Sequence, residues 1–232
     1  MDESHVAQEN GTLSKRAVAR HEKILDAALA VILRYGFDRC TMQDIAAESG
    51  ITRAALYKYF RSKDEVLHAL VSKINAEAND DALRESRAER PFCDRLKAVI
   101  DARLGRIQRM LFQGGHGAEI SGATHRIGGQ LTVAADKAYL ELVSAMFVEA
   151  AKRGEIDTAK TGLSPEKYAE LCVFAAKGLM REAGDIDYRA DYAAAISDLI
   201  DVICAALDAT DATPRRRDAA RPRSKAQRDS RA

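Results

Sequence analysis

The chain has only four prolines and four cysteines in 232 residues, and it lacks any long apolar run. So few prolines, among abundant Ala, Leu, Glu, Arg and Lys, leave helices uninterrupted. Apolar residues recur at three- and four-residue intervals, and sustained two-residue alternation is missing, so the expected fold class is all-α. The longest apolar stretches, such as Ala27 to Leu33, fall far short of the ~20 residues that span a bilayer. Met1 to Gly11 is polar and acidic and holds no signal-peptide core. A cytoplasmic location without membrane contact is therefore expected. Cys40, Cys93, Cys172 and Cys204 form no C-x-x-C pair. Cysteines scattered in this way are expected to be reduced and to behave as small apolar residues, with a thiol sensor as the alternative.

The net charge of +1 hides an uneven distribution. Residues 13–63 hold ten Lys and Arg against five acids, and residues 210–232 hold eight against three. Those two segments each carry +5 and residues 1–12 carry −3, so the total of +1 leaves −6 for residues 64–209. Basic ends around an acidic centre point to a polyanion partner.

A first helix is expected from Ser14 to Tyr35, after a disordered stretch at 1–13. Ile24, Ala27, Ala28, Val31 and Ile32 repeat as one buried stripe. Gly36 ends it. Thr41 caps a second helix, Met42 to Ser49, with Asp44 three residues on as a short-acid capping box. Gly50 breaks that helix, and Thr52 caps a third, Arg53 to Phe60. Ser62 caps a fourth, running from Lys63 to Glu89 before Pro91. A fifth spans Phe92 to Gln113. Six glycines between Gly114 and Gly129 predict a broken, mobile segment that gates a pocket. A long helix is expected from Gln130 to Arg153, another from Pro165 to Ala183, and a last from Tyr188 to Ala209. The Arg-, Ala- and Pro-rich tail 210–232 is expected to be disordered.

Three short helices with a sharp turn at Glu48-Ser49-Gly50-Ile51 describe a helix-turn-helix. Ile45, Ala46, Ile51 and Leu56 are spaced to form its small core, with Ala46 and Gly50 small where the helices approach. The third helix then presents Thr52, Arg53, Ala54, Lys58 and one edge of Tyr57 outward. Such a helix fits the major groove, where an arginine can donate two hydrogen bonds to guanine. Singly, each residue has a plainer role. Thr41 and Thr52 would cap any helix, Tyr57 and Tyr59 suit a core edge, and Arg53 and Lys58 suit a solvated face. Their combination at this spacing on a basic segment points to DNA.

The stretch Thr41-Met-Gln-Asp-Ile-Ala-Ala-Glu-Ser-Gly-Ile-Thr-Arg-Ala-Ala-Leu-Tyr-Lys-Tyr-Phe-Arg-Ser-Lys63 resembles the signature of TetR/AcrR-type bacterial regulators. Ile24-Leu-Asp-Ala-Ala and Tyr35-Gly-Phe match that family's first helix and turn. The resemblance covers about the first third of the chain; beyond Leu70 only length and helicity agree. It implies that Thr41, Tyr57 and Tyr59 contact phosphates, that Thr52, Arg53 and Ala54 face bases or the adjacent backbone, and that Lys63 clamps the backbone. Ala55 stands where family members often have Gly. The implied organisation is a DNA-binding domain at 14–78 with its motif at 41–60, then a helical sensing and dimerisation domain at 79–209.

For dimerisation, Leu171, Phe174, Ala175, Gly178 and Leu179 make one stripe, and Ile196, Leu199, Ile200, Ile203 and Leu207 another. Two chains could pair these into a four-helix bundle, the stripes could form an intramolecular core, or both could hold at once. Candidate effector-pocket residues are Ile100, Arg103, Leu104 and Ile107 with Leu142 and Met146; Met110 could adapt to a flexible ligand, and Arg103 and Arg106 could meet an anionic group. His116, Glu119 and His125 lie close in sequence but lack a metal-ligand spacing. No nucleophile–base pair or phosphate-cradling loop is present, so neither an enzyme nor a cofactor is expected. The expected function is a sequence-specific regulator, more often a repressor, released from a palindromic double-stranded operator by a partly apolar small molecule. It would bind as a homodimer and be nucleoid-associated when on DNA. Alternatives are a metal- or redox-responsive regulator, or a non-specific DNA-binding protein helped by the Arg-rich tail.

Overall fold

The computed structural model describes residues 3–112, 115–180 and 192–207. Among them are nine α-helices and no strand, as the apolar periodicity requires. They are α1 (Glu3–Tyr35), α2 (Met42–Ser49), α3 (Arg53–Leu56), α4 (Lys63–Ser86), α5 (Phe92–Ile100), α6 (Arg106–Phe112), α7 (Gly117–Lys152), α8 (Pro165–Leu179) and α9 (Tyr192–Leu207). No described helix is long and apolar enough to cross a membrane. The basic tail 210–232 and the expected outer ends of the last two helices lie outside the described residues.

Two apolar clusters organise the chain. The first gathers Ile24, Ala28, Val31 and Ile32 of α1 with Ile45, Ala46 and Leu56 of the helix-turn-helix and Val66, Leu67, Leu70 and Val71 of α4. Ile120 and Ala123 of α7 belong to it too. The second joins Leu96, Val99 and Ile100 of α5 to Tyr139, Val143 and Phe147 of α7, Cys172 and Val173 of α8, and Ile196 and Ile200 of α9. Both α4 and α7 contribute to both clusters, α4 through Ala82 in the second. Phe147 sits edge-on to Phe92, with ring centroids 4.9 Å apart.

Several expectations are corrected. Helix α1 extends from Glu3, beyond the start expected at Ser14. No proline stops it, and Gly11 costs a helix only ~1 kcal/mol relative to Ala. The third helix closes at Leu56, and the chain to Phe60 tightens into a last turn in which Tyr59 N–H bonds to the Leu56 carbonyl at 2.9 Å. The fifth helix is interrupted by a π turn over Asp101–Gly105 before α6 resumes it.

The largest correction concerns the glycines. Helix α7 begins at Gly117 and carries Gly122, Gly128 and Gly129 inside its 36 residues. Gly128 has a steric purpose, because an added Cβ would lie 3.0 Å from Val71 Cγ1 of α4. Its missing side chain lets α4 and α7 pack closely, where a mobile gate had been expected.

Cys93 and Cys204 are joined in a disulfide between α5 and α9, with Cα atoms 6.2 Å apart. The expectation of four reduced cysteines therefore holds only for Cys40 and Cys172. Sequence spacing could not show this pair, which is 111 residues apart. Both free thiols are buried, and burial pushes Cys40 up to about 11 and Cys172 up to about 12.

Candidate nucleic-acid interface and adjoining cavity

Each element of the helix-turn-helix is fixed by local chemistry. Gly36 ends α1 at φ 82, a left-handed conformation that glycine adopts without strain. Thr41 caps α2 as expected: its hydroxyl accepts from the Asp44 amide at 3.2 Å and donates to Asp44 Oδ2 at 2.6 Å. The Thr41 amide donates to the same carboxylate at 2.9 Å, completing the capping box. Gly50 ends α2 at φ 69, and Ile51 N–H returns to the Ala46 carbonyl at 3.0 Å. The sequence suggested close packing at Gly50, but only Lys23 Nζ lies within 4 Å of a Cβ built there. Conformation, and not crowding, demands the glycine. Thr52 caps α3 through the Ala55 amide at 3.1 Å, and Ser62 caps α4 through the Glu65 amide at 3.1 Å.

Helix α3 presents the face that the sequence predicted. Thr52, Arg53, Ala54, Tyr57 and Lys58 are exposed, while Leu56 is fully buried beneath them. Arg53 lies over the Tyr57 ring, 5.5 Å from its centroid, and Nη2 donates to the phenol oxygen at 3.3 Å. The arginine is therefore held across the outer face before any partner arrives. Tyr59 is half-buried and packs on the first core cluster, so it is a packing residue with one accessible edge.

Lys63 is committed within the chain. Its ammonium donates to the Phe37 carbonyl at 2.7 Å and the Asp38 carbonyl at 3.1 Å, and sits 4.5 Å from the Phe37 ring centroid. It clamps the turn between α1 and α2 and reaches a phosphate only by giving up part of this.

That turn is also held by α7, a contact that no sequence signal announced. Glu119 Oε1 accepts from the Asp38 amide at 2.6 Å, and His116 Nδ1 stands 3.7 Å from Glu119 Oε2. Among the described residues no three His, Cys, Asp or Glu side chains cluster as metal ligands.

A cavity of about 220 Å³ lies between α1, α4, α6 and α7, against the helix-turn-helix core. Its wall is mostly aliphatic, with Asn75, Ser121, Thr124, His125 and Thr132 as polar points. Of the six pocket residues expected from sequence, only Ile107 lines it, together with Met110. Ile100, Leu104 and Met146 are buried in the second core cluster, with Leu142 packed against it. Arg103 is 1% exposed behind the wall. Arg106 is neutralised by Glu77 and Asp81, each at 2.5 Å. Periodicity found the apolar stripe but could not tell a core-filling side of the helix from a cavity-lining one.

The two expected dimerisation stripes behave differently. Leu171, Phe174, Ala175, Gly178 and Leu179 of α8 are exposed, Phe174 by 60%. On α9, Ile196, Ile200 and Leu207 are buried inside the chain and Leu199 and Ile203 pack partly against them. The α9 stripe is thus an intramolecular core, and Val202 is that helix's exposed large apolar residue.

Residues 24–70 match the sequence model described as bacterial regulatory proteins, tetR family. The uncharacterized HTH-type transcriptional regulator YvdT of Bacillus subtilis (strain 168) is 28% identical over 89 residues, which are 38% of this chain and 46% of that protein. The chain therefore matches less than half the length of that relative. A transcriptional regulator from Cytophaga hutchinsonii ATCC 33406 has a similar fold, with TM-score 0.67 and 19% identity over 81% of this chain and 97% of that one. So has SmeT, the repressor of the Stenotrophomonas maltophilia multidrug efflux pump SmeDEF, with TM-score 0.59 and 22% identity over 81% and 89% of the two chains. SmeT is also known as a complex with triclosan.

Proposed function

We propose that this chain, which belongs to the TetR family of bacterial regulatory proteins, is a sequence-specific transcriptional regulator that binds its operator as a homodimer and is controlled by a small molecule. The observation that carries this reading is the capped α3 with the turn that follows it, which together present Thr52, Arg53, Ala54, Tyr57 and Lys58 over a fully buried Leu56. A helix held this rigidly can be laid in a major groove with little loss of side-chain freedom, and the Tyr57 ring orders Arg53 further. Arg53 is the base reader; Tyr57, Lys58 and the exposed edge of Tyr59 position the protein on phosphates. Thr41 and Lys63 contribute mainly by fixing the turn and α2.

One reading head covers one half-site, so a second copy is needed. The exposed apolar face of α8 supports pairing through Leu171, Phe174, Ala175 and Gly178. The cavity against the helix-turn-helix core supports a ligand that changes how the two heads are held, and triclosan on SmeT shows a protein of this fold taking a small molecule. Repression released by the ligand is the proposed direction. The Cys93–Cys204 disulfide favours a second reading, in which redox state is the signal.

The test is fluorescence anisotropy with the DNA upstream of the protein's own gene, against scrambled DNA, at about 0.15 M salt so that phosphate attraction is held constant. Preference for the upstream DNA that is lost in Arg53→Ala and weakened in Tyr57→Phe is expected. Equal weak binding to both DNAs, with no sequence recovered from a random-library selection, would establish a non-specific binder instead.

A further inference from the structure

Arg16, Arg20 and Lys23 stand four and then three residues apart in α1, so they share one face of that helix over about 10 Å. All three are exposed, and none pairs with an acid among the described residues. Like charges at such spacings repel and weaken a helix, so folding alone gives no reason for the stripe. The neighbouring acids are turned elsewhere. Asp26 pairs with Lys73 of α4 at 2.5 Å, and Lys73 also lies in the field of Glu22. Glu22 and Asp26, themselves four apart, are thus balanced against α4, while the face with Arg16, Arg20 and Lys23 keeps its charge.

The stripe starts at the helix-turn-helix. A Cβ built on Gly50, which ends α2, would lie 3.8 Å from Lys23 Nζ. Thr52 and Arg53 follow that glycine at once, as the cap and first residue of α3. His21, which lies between Arg20 and Lys23, packs its ring against Phe60 with centroids 5.0 Å apart. Phe60 closes the turn after α3, where its N–H bonds to the Leu56 carbonyl at 3.1 Å. Helix α1 is therefore pinned at both ends of the segment from Gly50 to Phe60. From Lys23 it carries Arg20 and Arg16 about one and two turns further on. The match to the family model begins at residue 24, so membership of the family assigns this stripe no role.

We propose that Arg16, Arg20 and Lys23 form a second DNA contact, a ladder of cations on the phosphates that flank the half-site covered by α3. The proposal rests on the DNA-binding reading above. A duplex carries one negative charge per ~1.7 Å of its axis, so a 10 Å stripe meets about six phosphates. Such contacts carry no sequence information. They add affinity and fix the register in which Arg53 meets the bases.

Fluorescence anisotropy tests this, with the upstream and scrambled duplexes each titrated between about 0.05 and 0.25 M salt. The triple variant Arg16→Gln, Arg20→Gln, Lys23→Gln should lower the slope of log affinity against log salt by about 2–3 per bound protomer, equally on both DNAs. At about 0.15 M salt its affinity should fall at least ~10-fold on each. Its melting temperature should not fall, because the three side chains are exposed and their mutual repulsion is removed. Taking the same charge from exposed lysines of α7 and α8, in Lys137→Gln, Lys152→Gln, Lys167→Gln, should change the slope by less than about 1.

A loss of slope below about 2 in the first variant overturns the proposal. So does an equal loss in the second, which would make net charge alone responsible. A loss confined to the upstream DNA overturns it too, by making these residues base readers. Wild-type protein that binds neither DNA would refute the DNA-binding reading itself, a result distinct from a slope that stays unchanged.

Discussion

Glu119, in the first turn of α7, accepts a 2.6 Å hydrogen bond from the backbone amide of Asp38, in the turn that leads into α2. A Cβ built on Gly36 would collide with that same carboxylate. The two residues therefore form a coupled pair. Gly36→Ala alone should cost about 2 kcal/mol, from its left-handed backbone and from displacing Glu119. In a Glu119→Ala background it should cost only about 1 kcal/mol, since the collision is gone. Urea denaturation of the four proteins in the cycle measures the difference. Strict additivity would mean that the contact is idle.

Lys63→Met should lower stability by about 2 kcal/mol, because it strips a charged donor from the Phe37 and Asp38 carbonyls. The slope of DNA affinity against salt should change by less than the ~1 expected for a lost phosphate contact. A full unit of slope lost with stability unchanged would make Lys63 a phosphate residue first.

If the chain pairs through α8 as proposed, Phe174→Glu should turn a wild-type dimer into monomer in sedimentation velocity while the helical circular dichroism signal is kept, because that side chain is 60% exposed in the single chain. Ile200→Glu should instead unfold the C-terminal half, costing roughly 3–5 kcal/mol for an unpaired buried charge. Were Phe174→Glu to remain dimeric, the α8 face would have to be given another role.

Reducing the Cys93–Cys204 disulfide reopens a loop of 111 residues. Chain-entropy reasoning puts the lost stability at about 5 kcal/mol for a loop of this order, so dithiothreitol should lower the melting temperature by roughly ten degrees or more. Cys93→Ser should start at the lower temperature and respond no further.

The two buried thiols give a pH dependence with a definite sign. Their folded values, about 11 for Cys40 and about 12 for Cys172, lie above the ordinary 9.0. Above pH 9 the unfolded chain releases these protons more readily, so stability present below pH 9 falls as pH rises through 11 and 12. Urea midpoints at pH 8 and pH 10.5 should show the drop, and Cys172→Ala should reduce it. Neither thiol should be alkylated by iodoacetamide in the native protein at pH 8.

How much of this the sequence disclosed depended on the range of each interaction. The α1 stripe and the three threonine and serine caps rest on residues three or four apart, and each stands where expected. The exposure of Thr52, Arg53, Ala54, Tyr57 and Lys58 over buried Leu56 was legible for the same reason. Long-range facts were hidden. Gly128 reads as a helix breaker until Val71, 57 positions earlier, is placed against it. Arg103 reads as a pocket arginine that could meet an anionic group until α4 and α7 enclose it. On α9, periodicity identified one apolar side but not whether it turned inward or toward a second chain. Cavities suffer most, since an empty space between helices leaves no trace in the spacing of the residues around it.

Helices α4 and α7 each run through both apolar clusters, and Ile120 and Ala123 complete the one beneath the helix-turn-helix. The helix-turn-helix head is therefore not a transplantable module. A fragment ending near residue 78 would leave the surface that Ile120 and Ala123 cover open to water, and a chimera that grafts this head onto a foreign sensor would need the first half of α7 as well. Evolution faces the same constraint: exposed residues of α3 can change without disturbing the core beneath them, while exchange of the whole head must carry a helix encoded some fifty residues downstream.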